Sequence, residues 1–188
     1  SSITQKRYKY EISSKIGKGG YGTVYRGICL DTGEAVAIKV YENNLLEKEV
    51  DMCGEQYLKF MGDETLSLQE FNNSGFTVKV YDCFQTSNNL YIIMEFCEGG
   101  SLEDLLAKSG GILEEEQAVS YLESIVQGVE IMHNRGYMHR DLKLENIFLR
   151  QGKTKIGYAS GRPIRTRRTL SSASSFGTRR QGRSSACS

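Results

Sequence analysis

A chain of 188 residues has room for one domain of ordinary size and a tail, and its formal charge of +1 conceals two unlike polypeptides. Residues 151–188 hold nine Lys or Arg and no Asp or Glu, so residues 1–150 carry 15 basic against 23 acidic side chains, and nucleic-acid binding is expected only through the basic C-terminal stretch. The five cysteines stand singly without C-x-x-C spacing, and no apolar run reaches the roughly 18 residues of a membrane helix; these features exclude a disulfide framework and a membrane span, and the expectation is a soluble protein of the cytoplasm or nucleus.

The first elements are strands. Tyr8, Tyr10 and Ile12 alternate with polar residues, and a Gly-rich turn leads into Thr23–Cys29. Asp31-Thr32-Gly33-Glu34 is a turn, and Ala35–Val40 reads as a buried strand, so an antiparallel meander is expected. A helix is expected over about Leu45–Met61, a polar loop over 62–75, and two more strands over Thr77–Phe84 and Asn89–Phe96. Ser101 with Glu103-Asp104 marks the start of a short helix. A longer helix spans about Glu114–Asn134, with Ala118, Leu122, Ile125, Val129 and Met132 at helical spacing on its expected buried face. Asn146–Leu149 and Thr154–Ile156 read as a tight hairpin around Gln151-Gly152. Beyond Gly157 periodicity stops, and residues 160–188, with eight Ser and seven Arg, are expected to be disordered.

Three motifs carry chemistry. Gly17-Lys18-Gly19-Gly20-Tyr21-Gly22-Thr23-Val24 has glycines at the spacing of a phosphate loop. A dinucleotide fingerprint needs a helix immediately afterwards, whereas a β-branched, aromatic strand follows here, which leaves a phosphate-covering hairpin or an ordinary flexible one. Lys39 lies fifteen residues after Val24 inside the apolar run Val36-Ala37-Ile38-Lys39, where a cation faces a desolvation cost and needs a partner. The most specific signal is His139-Arg140-Asp141-Leu142-Lys143-Leu144-Glu145-Asn146. It combines a carboxylate able to accept a proton, a cation two residues on, and an amide oxygen suited to Mg²⁺.

Taken in this order, the motifs resemble those of a eukaryotic protein kinase, and Lys143 after the aspartate resembles the Ser/Thr-specific branch. The resemblance implies an α+β fold. Residues 8–156 would form a partial kinase domain, with a five-stranded antiparallel N-lobe and one helix (8–96), a hinge (95–100) and a truncated, mainly helical C-lobe (101–156), followed by a Ser/Arg-rich tail (157–188). It implies ATP and Mg²⁺ as cofactors and a protein substrate as partner. ATP would contact Ile16, Gly17, Lys18, Gly19, Gly20, Tyr21, Gly22, Val24, Ala37, Lys39, Met94 as gatekeeper, and the backbone at Glu95 and Cys97. Asp141 and Lys143 would be catalytic, and Asn146 would be a metal ligand. Lys39 would pair with a helix glutamate. Glu55 suits the family spacing despite Gly54 beside it, while Glu49 sits closer in sequence. The Glu98-Gly99-Gly100 segment is similar to hinges of never-in-mitosis-related and MAP-kinase-cascade kinases.

One part of the pattern is missing. The family's metal-binding aspartate would follow Lys155-Ile156-Gly157, where this sequence has Tyr158, and no acidic residue occurs downstream. A phenol does not replace a carboxylate on Mg²⁺. Phosphotransfer is therefore expected to be impaired and Mg²⁺ binding weak. The alternatives are a nucleotide-binding pseudokinase or scaffold, an interrupted kinase gene product, and a basic tail that itself binds polyanions.

Overall fold

The alternation at the N-terminus and the apolar run after Gly33 build a single sheet. In the computed structural model, which describes residues 7–18, 22–42, 65–66, 68–86 and 88–158 and the backbone of Ile164–Arg165, five strands form this sheet. They are β1 (Tyr8–Lys18), β2 (Thr23–Cys29), β3 (Ala35–Glu42), β4 (Val80–Gln85) and β5 (Asn89–Glu95). Their order is β1-β2-β3-β5-β4, with every neighbour antiparallel. Strand β3 is buried from Val36 to Tyr41, as its unbroken apolar run requires of a strand covered on both faces. Successive side chains point to opposite faces. Val36, Ile38 and Val40 join Cys29 and Ile93 on one face, capped by Tyr10, Tyr25, Phe84 and Tyr91. Ala37, Tyr41, Leu90, Ile92 and Met94 face the other way, into a larger core shared with the helical part. Each buried Val, Leu, Ile or Met among them contributes roughly 1.5–3 kcal/mol by leaving water.

The helix expected over Leu45–Met61 lies outside the described residues. The interval expected to be a loop contains a 3-10 helix, Leu68–Phe71, with both terminal side chains buried. Residues three apart eclipse in a 3-10 helix, so Leu68 and Phe71 share one face although Asn, Ser and Gly around them read as loop. The strand expected from Thr77 begins instead at Val80. Thr77 forms a parallel bridge with Ile156, the Val78 N–H donates to the Ile156 carbonyl at 2.9 Å, and the Ile156 N–H donates to the Phe76 carbonyl at 2.8 Å. Those backbone groups are satisfied by the C-terminal hairpin rather than by the sheet.

Helix α1 (Leu102–Lys108) starts at a capping box. The Ser101 hydroxyl accepts from the Asp104 N–H at 3.1 Å, and the Asp104 carboxylate accepts from the Ser101 N–H at 2.8 Å. Helix α2 (Glu115–Asn134) has its acids in the first turn, where they complement the helix dipole. Its buried face differs from the expected one. Tyr121, Gly128 and Met132 are buried and Ile125 and Val129 half-buried, while Ala118 and Leu122 are exposed. The cause is Gly128, whose missing side chain admits Ile156 and Phe76 so closely that a Cβ would lie 2.7 Å from Ile156 Cδ1. That contact rotates the stripe and leaves Val119, Leu122 and Val126 on the outer face.

After α2 come β6 (Tyr137–Met138), a 3-10 turn at Leu144–Asn146, and a hairpin of β7 (Ile147–Arg150) and β8 (Lys153–Ile156). The hairpin loop is Gln151-Gly152 with φ of 50° and 73°, the double left-handed turn that matches strand twist. The chain stays packed through Tyr158, and β9 (Ile164–Arg165) pairs antiparallel with β6. The rest of the Ser/Arg-rich stretch lies outside the described residues. The whole is an α+β arrangement, a five-stranded antiparallel sheet beside a mainly helical part. Among the described residues, no helix is long and apolar enough to cross a membrane.

Candidate active site

Between sheet and helical part, the β3 face that carries Ala37 and Lys39 looks towards the turn after β6. The β1–β2 hairpin places Gly17 opposite Val24 and Lys18 opposite Thr23; Gly19, Gly20 and Tyr21 lie outside the described residues. Gly22 is buried against β3, and a Cβ there would stand 2.6 Å from the Val40 carbonyl oxygen, so no other residue fits. Ile16 is half exposed at the lip, whereas Val24 packs on the core beside Ala37. Lys39 pairs in register with Val24 on one side and Ile92 on the other. Only 8% of it is exposed, and its ammonium lies 5.0 Å from the Tyr41 ring centre. Burial lowers its pKa to about 8, with the charge of Asp141 acting in the opposite direction. Glu49 and Glu55 lie outside the described residues.

Met94, Glu95 and Cys97 are all buried at the end of β5. Burial, and next the Glu95 charge, push the Cys97 thiol up to about 12, so it is inert as a nucleophile at neutral pH. From here the chain crosses to β7. The Gly99 N–H donates to the Leu149 carbonyl at 3.0 Å, and the Leu149 N–H donates to the Gly100 carbonyl at 2.9 Å.

The turn after β6 is organised by a closed set of hydrogen bonds. The Asp141 N–H donates to His139 Nδ1 at 3.3 Å, and His139 Nε2 lies 2.6 Å from the Gly157 carbonyl. An N–H can only donate and a carbonyl only accept, so buried His139 is the neutral imidazole with its hydrogen on Nε2. The Asn146 amide donates to the Asp141 carbonyl at 2.7 Å and to its carboxylate at 3.0 Å, and the Gly157 N–H closes the ring onto the Asn146 carbonyl at 2.8 Å. Arg140 sits at φ 65°, a left-handed conformation that costs a non-glycine residue of order 1–3 kcal/mol and concentrates at functional sites. Lys143 turns to Glu145, its Nζ 3.7 Å from the carboxylate, with both side chains largely in solvent.

These geometries define what a cation could use. With its amide nitrogen committed to Asp141, Asn146 keeps Oδ1 for a hard cation, and the Asp141 carboxylate lies beside it. The next residue along the chain from Gly157 offers nothing comparable. Tyr158 packs on the core, and its buried hydroxyl faces Thr77 without the geometry of a hydrogen bond. Burial raises the phenol well above its ordinary pKa, so it stays neutral. Among the described residues no group of three His, Cys, Asp or Glu side chains converges on a metal position. The donors fit a cation held through Asn146, and the strand end adds no carboxylate ligand to it.

Two features escaped sequence reasoning. Phe148 presses on Gly157, whose hypothetical Cβ would stand 2.2 Å from Phe148 Cε2, so the ring walls the turn that carries Asp141 and Asn146. Its signal was the alternation Ile147-Phe148-Leu149, which placed it in a strand without showing what it faced. Arg150 and Lys155 converge on the buried Glu95 carboxylate from more than fifty residues away in sequence, and local pattern carries no such information.

Comparison with known proteins matches the model described as the protein kinase domain to residues 10–161. The chain is 36% identical over 169 residues to Serine/threonine-protein kinase 1 of Arabidopsis thaliana, covering 89% of this chain and 19% of that protein. It is 34% identical over 156 residues to Serine/threonine-protein kinase PKH2 of Saccharomyces cerevisiae, covering 82% and 14%. With Serine/threonine-protein kinase ppk18 of Schizosaccharomyces pombe the identity is 37% over 140 residues, covering 74% and 10%. The chain thus spans between 10% and 19% of the length of these relatives.

Proposed function

Since this chain belongs to the protein kinase family, we propose that it binds ATP between the β3–β5 face and the catalytic turn, and that as written it transfers phosphoryl groups to protein Ser/Thr poorly or not at all. In this reading residues 8–156 are the kinase-like unit, with 95–100 as the hinge. The observation that carries it is the contrast at the end of β8. Gly157 is bonded into the His139–Asp141–Asn146 ring, and the very next side chain is a neutral phenol absorbed into the core.

The assigned roles follow from position. Lys39, the buried cation of β3, would meet phosphate oxygens under the Gly17–Gly22 loop, with Ile16, Val24, Ala37 and Met94 flanking the base. Asp141 would accept the proton of a substrate hydroxyl, with Lys143 beside it. Asn146 would hold Mg²⁺ through Oδ1; bound with ATP, that ion neutralises charge on the transferring phosphoryl group. Withdrawing one preorganised electrostatic group costs on the order of 10²–10³ in rate. Tyr158 supports a loss of at least that size, because its neutral hydroxyl cannot serve as a charged ligand.

The test is phosphate transfer from labelled ATP to generic Ser/Thr substrates, beside an Asp141→Asn control. Equal, background-level transfer is the expected result. Robust wild-type turnover abolished by Asp141→Asn would refute the impairment. The absence of any acidic residue after Gly157 favours one further reading, an interrupted kinase reading frame. An Asp-Phe-Gly encoded in another frame near codon 157 would establish it.

A further inference from the structure

A charged cluster gathers on the buried Glu95 carboxylate at the end of β5, where residues 95–100 begin. The Glu95 side chain is only 2% exposed. One carboxylate oxygen receives the Lys155 ammonium at 3.0 Å and the Lys79 N–H at 3.2 Å, and the other receives the Arg150 guanidinium. The Glu95 N–H itself donates to the Lys79 carbonyl at 2.9 Å. Both cations come from the β7–β8 hairpin, whose Leu149 exchanges two backbone hydrogen bonds with Gly99 and Gly100 and whose Gln151 N–H donates to the Glu98 carboxylate at 3.0 Å. The same hairpin runs through Ile156 directly into Gly157 and the catalytic turn.

We propose that Arg150 and Lys155, acting through the Glu95 carboxylate, are positioning residues that fix the hinge backbone and thereby its preference for an adenine over a guanine base. The inference rests on the nucleotide-binding reading, in which the backbone at Glu95 and Cys97 meets the base edge. Stability alone does not account for the cluster, because a buried ion pair often does no better than well-packed apolar residues of similar volume. What a carboxylate held from three directions supplies is a fixed direction for the peptide that carries it. Adenine presents an amino donor where guanine presents a carbonyl acceptor. A rigid backbone edge pairs with one and leaves the other with an unmatched polar contact, whereas a loosened edge adapts to both.

The experiment measures metal-free ADP and GDP affinities by calorimetry for the full chain, Lys155→Met, Arg150→Met and Lys155→Arg. The wild type is expected to favour ADP. Lys155→Met should weaken ADP by about tenfold and leave GDP within about twofold, narrowing the preference, and Lys155→Arg should restore it. Arg150, a third exposed, provides the same comparison should Lys155→Met not fold. Parallel weakening of both nucleotides, or an unchanged ratio in the folded variants, overturns the positioning role while leaving the nucleotide site standing. A wild-type chain that binds neither nucleotide, as Lys39→Ala should not, overturns both.

Discussion

Lys39 and Tyr158 are both polar side chains taken out of water, at opposite ends of one site, and the fold treats them in opposite ways. Lys39 stays on an apolar strand although burial penalises its charged form, its pKa drawn down to about 8 with Asp141 acting against the shift. Tyr158 joins the core as a neutral ring with an unbonded hydroxyl. A polar group kept where it is costly points to a ligand that repays the cost, whereas one absorbed by packing points to structure. The sheet half of the site thus remains chemically poised, and the end of β8 has become core.

The sharpest way to test that contrast is to remove the ring. Tyr158→Ala should destabilise the protein by about 3 kcal/mol in urea unfolding, the cost of emptying an aromatic site in a core. Tyr158→Phe should change stability by less than about 1 kcal/mol, because the hydroxyl makes no hydrogen bond. Tyr158→Asp should destabilise as well and restore no phosphotransfer, since it buries a carboxylate among apolar side chains. A mild effect of Tyr158→Ala would mean that the ring is not core.

Lys39 should behave in the opposite sense. An unfolded lysine titrates near 10.5 and Lys39 at about 8, so between those values the unfolded chain binds more protons and stability rises with pH. Below pH 8 both states are charged and the full penalty is present, about 3 kcal/mol as an order of magnitude. Lys39→Met should therefore raise stability at pH 7 by about 1–3 kcal/mol and flatten the rise between pH 8 and 10.5, while abolishing ATP binding. Loss of stability in Lys39→Met would show that a strong carboxylate partner holds the ammonium.

Smaller effects calibrate the frame around both residues. Gly157→Ala must displace the Phe148 ring, and a cost of about 1–3 kcal/mol is expected in thermal or urea unfolding. Ser101→Ala removes one half of the α1 capping box, worth about 1 kcal/mol in the same measurement.

Much of this was legible in the residues, for identifiable reasons. Strand alternation, the Ser101–Asp104 box and the Gln151-Gly152 turn are local signals, and each leads to the element it implies. The order of the glycine loop, Lys39 and the His139–Asn146 run was enough to indicate the family. What could not be read depended on contacts between distant segments. Gly128 rotates the buried stripe of α2 because Ile156 and Phe76 press into it. Thr77 and Val78 leave the sheet because Ile156 takes the Phe76 carbonyl and the Val78 N–H on either side of Thr77. Glu95 acquires its two cations from a hairpin more than fifty residues on. The sequence also showed that Tyr158 is no carboxylate, but only packing shows that the ring turns into the core.

The central claim, a poised nucleotide wall without its metal-binding carboxylate, is tested most directly by calorimetric titration of the chain with ATP in the presence and absence of Mg²⁺. ATP affinities agreeing within about threefold across the two conditions, and lost in Lys39→Ala, are predicted. Tightening by Mg²⁺ of about tenfold or more would contradict the account and require a charged metal ligand that Tyr158 does not provide.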